Sequence, residues 1–134
     1  MIYLDASAIV KMIRPETESD RLARWLADRH PQRVVTSKLS EVEVPRAIRR
    51  YGPDRLDAIT SVLEYIDRFD IDDGVRARAA AYSDLHLRSL DAIHLATADQ
   101  LVLAGKTIHA FITYDRRLAA QANSSGLTVV APGQ

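Results

Sequence analysis

Four carboxylates are spaced along this chain in settings that suit shared chemistry. Asp5 follows the apolar run Ile2-Tyr3-Leu4, Glu43 lies inside Glu41-Val42-Glu43-Val44, Asp91 opens Asp91-Ala92-Ile93-His94-Leu95-Ala96, and Asp115 follows Phe111-Ile112-Thr113-Tyr114. Three stand where a strand or loop hands over to a helix, and Glu43 lies near a helix start. Oxygen ligands collected at one end of a sheet make a site for a hard divalent cation.

Each acid also has a plain structural alternative. Asp5 and Ser7 are both good N-caps, as are Ser89 and Asp91, and Asp115 precedes the helical pattern Arg116-Arg117-Leu118. Ser40 and Glu43 have capping-box spacing. Against a purely structural Glu43 stands its face: Leu39, Glu43 and Ala47 are four apart and share one side of a helix, where an uncompensated carboxylate is costly. Pro45 complicates that helix because it lacks a donor. Glu41 points about 200° away from Glu43, toward solvent. Asp99 lies ~12 Å along the helix axis from Asp91, too far to share one cation, and falls outside the inner set.

Other chemistries fit poorly. His30, His86, His94 and His109 lack zinc-site spacing and read as surface or satisfied core residues. There is no GxGxxG or Walker A loop, and no GxSxG elbow surrounds Ser7. The chain has no cysteine, which excludes disulfides and thiolate metal sites.

The elements that must position the acids alternate. Short apolar runs at Ile2–Leu4, Val34–Val35, Phe69–Ile71, Ala110–Thr113 and Thr128–Val130 read as strands. Helical patterns run from Ser7 to before Pro15, Thr17–Arg29, Lys38–Arg50, a helix opening at Pro53, Asp73–Leu85, Ala92–Ala104 and Arg116–Ala122. This predicts an α/β fold, a mainly parallel sheet of about four to five short strands with helices on both faces. Ligands in such folds bind outside the carboxyl ends of the strands. At 134 residues, 47% apolar and 27% charged, the chain reads as one globular domain over residues 1–134.

The 18 basic and 18 acidic residues balance, so there is no global pull toward nucleic acid. Fifteen of the basic residues are Arg, whose fork suits phosphate. Arg46, Arg49 and Arg50 after Glu43, and Arg116 and Arg117 after Asp115, are candidates for holding phosphate groups. The alternative is a set of solvated helix faces. No signal peptide is expected from the first residues, and no apolar run approaches the roughly 20 residues of a membrane helix.

Taken together, Tyr3-Leu4-Asp5-Ala6-Ser7-Ala8, Val42-Glu43-Val44-Pro45-Arg46-Ala47, Leu90-Asp91-Ala92-Ile93-His94-Leu95-Ala96-Thr97-Ala98 and Ile112-Thr113-Tyr114-Asp115-Arg116-Arg117-Leu118 resemble the PIN domain, specifically the VapC toxins of bacterial toxin–antitoxin pairs. Each motif is weak alone; four in order over residues 1 to about 130 are specific. The resemblance implies a PIN-like fold and a Mg²⁺- or Mn²⁺-dependent endoribonuclease. It makes Asp5, Glu43, Asp91 and Asp115 the catalytic and metal-binding acids, with Ser7 and Thr113 as accompanying hydroxyls. It also implies an RNA substrate, whose phosphates Arg46, Arg49, Arg50, Arg116 and Arg117 would hold, a homodimer and a VapB-like antitoxin partner; a cytoplasmic setting, compatible with the lack of cysteine, is expected as well. The competing readings are a PIN-like module that binds RNA or a partner without cutting, and a receiver-like phosphoacceptor. The latter would want paired acids after the first strand and a late strand-end Lys, whereas Lys106 precedes its strand.

Overall fold

In the computed structural model, which describes Met1–Gln134, five strands form one parallel sheet. They are β1 (Ile2–Leu4), β2 (Val34–Ser37), β3 (Asp67–Phe69), β4 (Ala110–Ile112) and β5 (Val129–Val130), in the order β3-β2-β1-β4-β5. The helices are α1 (Ala6–Ile13), α2 (Ser19–Ala27), α3 (Ser40–Tyr51), α4 (Ile59–Tyr65), α5 (Asp73–Ala81), α6 (Ser89–Leu103) and α7 (Arg116–Ser124).

Strand alternation divides the core in two. Ile2, Leu4, Val34, Ala110 and Ile112 point to one face, where Ile9 and Ile13 of α1, Leu22 and Leu26 of α2, Val44 and Ile48 of α3 and Leu63 of α4 cover them. Tyr3, Val35 and Phe111 point to the other, under Leu95, Ala98 and Leu101 of α6 and Leu118 and Ala122 of α7. Tyr3 and Phe111 stack there in parallel planes, 5.0 Å between centroids. The chain leaves β1 toward β2 and β3, then returns to its other side for β4. That reversal opens a crevice at the carboxyl ends of β1 and β4.

Helix ends follow local chemistry. Gly105 and Gly126 adopt φ of +87° and +89°. At each, two amides reach back to the last turn: Gly105 N to Val102 O and Lys106 N to Leu101 O, and Gly126 N to Asn123 O and Leu127 N to Ala122 O. These are Schellman closures.

Several boundaries differ from the sequence expectation. Pro53–Ala58 forms a 3-10 segment before α4 begins at Ile59. β3 lies at Asp67–Phe69 instead of Phe69–Ile71, because this edge strand carries exposed Asp67 and Arg68 and lacks an apolar signature. α5 stops at Ala81 instead of Leu85; Tyr82 turns extended and Leu85 is fully in solvent. α6 begins two residues before Asp91, at Ser89, with Arg88 at its N-cap position.

Candidate active site

The Asp5 side chain is set by the strand-to-helix turn itself. It is 4% exposed, and its Oδ1 accepts the Ala8 amide at 3.0 Å, capping α1, and the Ser7 hydroxyl at 2.6 Å. Its Oδ2 accepts the Thr113 hydroxyl from the end of the neighbouring strand. Thr113 Oγ1 also receives the Asp115 amide at 3.1 Å, and Ser7 Oγ receives the Tyr114 amide at 3.0 Å. The two hydroxyls thus lace the ends of β1 and β4 together around one carboxylate. Burial pushes the Asp5 carboxyl above its ordinary range, and the nearby His94 ring together with these hydrogen bonds draws it partly back.

Asp115 caps α7 with Oδ1, which accepts the Arg117 and Leu118 amides. Its Oδ2 is left for Arg88 Nη2 at 3.0 Å, and Arg88 Nε reaches Asp91 Oδ2 at 3.3 Å. One guanidinium therefore bridges acids from two helices. Burial first, then the Asp115 charge, hold the Asp91 carboxyl above the usual carboxylate range, with Arg88 opposing them. Asp91 does not cap: it sits inside the first turn of α6, whose N-cap position makes no side-chain hydrogen bond.

Glu43 forms no capping box either. The N-cap position of α3 makes no side-chain bond, and Ser40 Oγ instead meets Thr36 Oγ1 at 2.9 Å. Glu43 Oε1 lies 2.7 Å from His94 Nε2, and His94 Nδ1 lies 2.8 Å from the buried Tyr3 hydroxyl. With Glu43 ionised, the arrangement that satisfies every atom has Tyr3 O–H donating to Nδ1 and Nε2–H donating to Glu43. His94 is a satisfied core residue, as its sequence setting suggested, yet it also touches an acid of the set. The signal available was position: His94 lies three residues after Asp91, one turn along the same helix.

Two hollows flank the acids and share Glu43. One of about 450 Å³ is lined by Ser7, Lys11, Arg14, Glu43, Ala47 and Tyr114 among others. One of about 380 Å³ is lined by Glu43, Arg88, Ser89, Leu90 and Asp91. Arg46, Arg49, Arg50, Arg116 and Arg117 are all exposed and line neither hollow, and Arg50 lies over the Tyr51 ring. The arginine that reaches the acids is Arg88, which the sequence reading passed over. Asp99 receives the Tyr82 hydroxyl near Arg78, and Glu41 faces Arg68 at 3.6 Å.

No three Asp, Glu, His or Cys side chains stand close enough together to form a finished metal cage. The donor set nonetheless fits a Mg²⁺-like ion, which keeps most of its waters and takes one or two carboxylates directly. Asp91 and Asp115 are such a pair, sharing a cation already in the form of Arg88.

A family model described as PIN domain matches residues 2–129. Ribonuclease VapC35 of Mycobacterium tuberculosis is 55% identical over 134 residues, spanning 100% of this chain and 98% of that protein. Ribonuclease VapC46 of the same species is 42% identical over 131 residues, spanning 98% and 97%. Among solved structures, M. tuberculosis VapC20, described as a sarcin–ricin loop cleaving toxin, superposes with a TM-score of 0.74 at 17% identity over 98% of this chain and 100% of that one. FitAcB from Neisseria gonorrhoeae gives 0.73 at 21% identity over 98% of each chain. At those identities the structural likeness speaks to the fold.

Proposed function

This chain belongs to the PIN-domain family, within its VapC ribonucleases, and from that premise we propose a metal-dependent endoribonuclease that serves as the toxin of a toxin–antitoxin pair. The observation that carries the metal site is the convergence of Asp5, Asp91 and Asp115, from three separate elements, toward the crevice at the ends of β1 and β4. The identity to VapC ribonucleases over the whole chain supports the reaction and the RNA substrate.

Asp91 and Asp115 are the direct ligands of Mg²⁺ or Mn²⁺ in this reading, because their Oδ2 atoms already share one cation. Asp5, fixed by Ser7 and Thr113, adds negative charge beside them and would orient the attacking water. Glu43, steered by His94, accepts a proton from the attacking water. The bound ion supplies polarisation of a phosphate oxygen and a lowered pKa for its water. Water attack on phosphorus breaks the P–O3′ bond and leaves the 2′-hydroxyl uninvolved; the departing 3′ oxygen takes a proton from solvent, so the products are 5′-phosphate and 3′-hydroxyl ends. Arg46, Arg49, Arg50, Arg116 and Arg117 remain proposals for phosphate contacts away from the reacting bond, with a homodimer, a VapB-like antitoxin and a cytoplasmic setting as the accompanying assembly and location. No helix is long and apolar enough to cross a membrane.

The test is cleavage of a structured RNA panel in Mg²⁺ or Mn²⁺, with end-group analysis. Asp5→Asn and Asp91→Asn should each lower cleavage by at least about 100-fold while the fold survives. Undiminished cutting by these variants or in excess chelator overturns the metal site. Cyclic 2′,3′-phosphate ends overturn the hydrolytic route.

A further inference from the structure

We propose that Arg88 is a displaceable counter-cation: its guanidinium occupies the gap between Asp91 and Asp115 in the metal-free protein and competes with the divalent ion for them. This deepens the metal reading above and rests on it. Arg88 contacts one oxygen of each acid, 3.3 Å from Asp91 Oδ2 and 3.0 Å from Asp115 Oδ2. Among the four acids these two alone pair with a side chain of permanent charge; Asp5 is held by hydroxyls and an amide, and Glu43 by a histidine. The acids themselves are recessed, with side chains 15% and 26% exposed, whereas Arg88 is 64% exposed.

That asymmetry is what displacement needs. Arg88 sits at the boundary of α6 in extended backbone, φ −74° and ψ 157°, and its side chain caps nothing. It can swing outward without breaking a helix, while Asp115 is tied to α7 through Oδ1 and Asp91 is embedded in α6. Exposed ion pairs are each worth only a few-fold in an equilibrium constant, so a dication outcompetes them. Any free energy the guanidinium contributes to the metal-free protein must be given up when the ion enters, which weakens metal affinity by the same factor.

The experiment is calorimetric titration of Mn²⁺, and separately Mg²⁺, into metal-stripped wild type, Arg88→Ala, Arg88→Lys, Arg116→Ala and Asp91→Asn, with metal-free melting of each. Arg88→Ala should bind Mn²⁺ about 3- to 10-fold more tightly than wild type and melt no higher without metal. Arg88→Lys, which keeps the charge but loses the fork, should fall between them and serves if the alanine variant is poorly folded. Arg116→Ala controls for the simple loss of an exposed positive charge near Asp115. Affinity for Arg88→Ala equal to or weaker than wild type, or a gain matched by Arg116→Ala, overturns the proposal. If wild type binds Mn²⁺, Asp91→Asn does not, and Arg88→Ala matches wild type, the counter-cation role alone falls. If no variant binds either ion, the metal reading falls with it.

Discussion

One oxygen of the Asp5 carboxylate caps α1 and takes the Ser7 hydroxyl, while the other takes the Thr113 hydroxyl. Cap and active-site acid are therefore compatible roles for one side chain, and weighing them as alternatives from sequence posed a false choice. Asp115 repeats the pattern with its two oxygens turned to α7 and to Arg88. Asp91, free of any cap, shows its site most clearly in its acid–base behaviour. Burial and Asp115 raise its carboxyl above the ordinary 3.8, so the folded protein binds that proton more tightly than the unfolded chain does. By linkage, its contribution to stability is full below pH 3.8 and lost as pH rises through the folded value. Metal-free Asp91→Asn should thus melt higher than wild type at pH 7, with the gap closing as pH falls toward 4. Paired melting curves across that range check it. His94→Ala strands the buried Tyr3 hydroxyl, opens a void and frees Glu43. It should cost about 3 kcal/mol in denaturant unfolding and reduce cleavage beyond what the stability loss explains. His94 and Arg88 were hard to read from sequence because their roles depend on partners far away in the chain: Glu43 is 51 residues from His94, and Asp115 is 27 from Arg88.

At the scale of elements, local grammar accounted for most helices. Apolar spacing, Pro15 after α1 and Gly105 after α6 each mark a boundary that the structure keeps within a residue or two. It did less well where tertiary partners override the local signal. β3 is polar and is a strand because it pairs Val35↔Asp67 and Ser37↔Phe69, with Arg33 held by Asp67 outside it. α6 starts at Ser89 although no side chain caps it, because its residues are buried on more than one face, among them His94, Leu95, Ala96 and Ala98. Asp115 offers a way to separate element from site. Asp115→Ser keeps a capping oxygen for α7 and should stay within about 0.5 kcal/mol of wild type, whereas Asp115→Ala should lose about 1 kcal/mol. Both should lose cleavage to a similar degree. Chemical denaturation beside an RNA assay reads the two effects apart, and a serine variant that cuts like wild type removes Asp115 from the chemistry.

For the whole molecule, stability comes from the two apolar layers, and the site is built on their shared sheet. Phe111, buried against Tyr3, belongs to the layer beneath α6 and α7. Phe111→Ala should cost about 3–5 kcal/mol and, because Thr113 follows β4 by one residue, disturb the site as well. Leu85→Ser, on a side chain 98% exposed, should stay within about 0.5 kcal/mol. Thermal unfolding of the pair checks that the layers, not the α5–α6 connection, carry the fold. The same sheet has a consequence for how the site forms. Asp5 and Thr113, joined by one hydrogen bond at the crevice, are separated by 108 residues of chain. Until β4 pairs with β1, the Asp5 carboxylate lacks the Thr113 hydroxyl that holds its second oxygen. Closing so long a loop is a slow, non-local step, so the site is completed only when the sheet itself is.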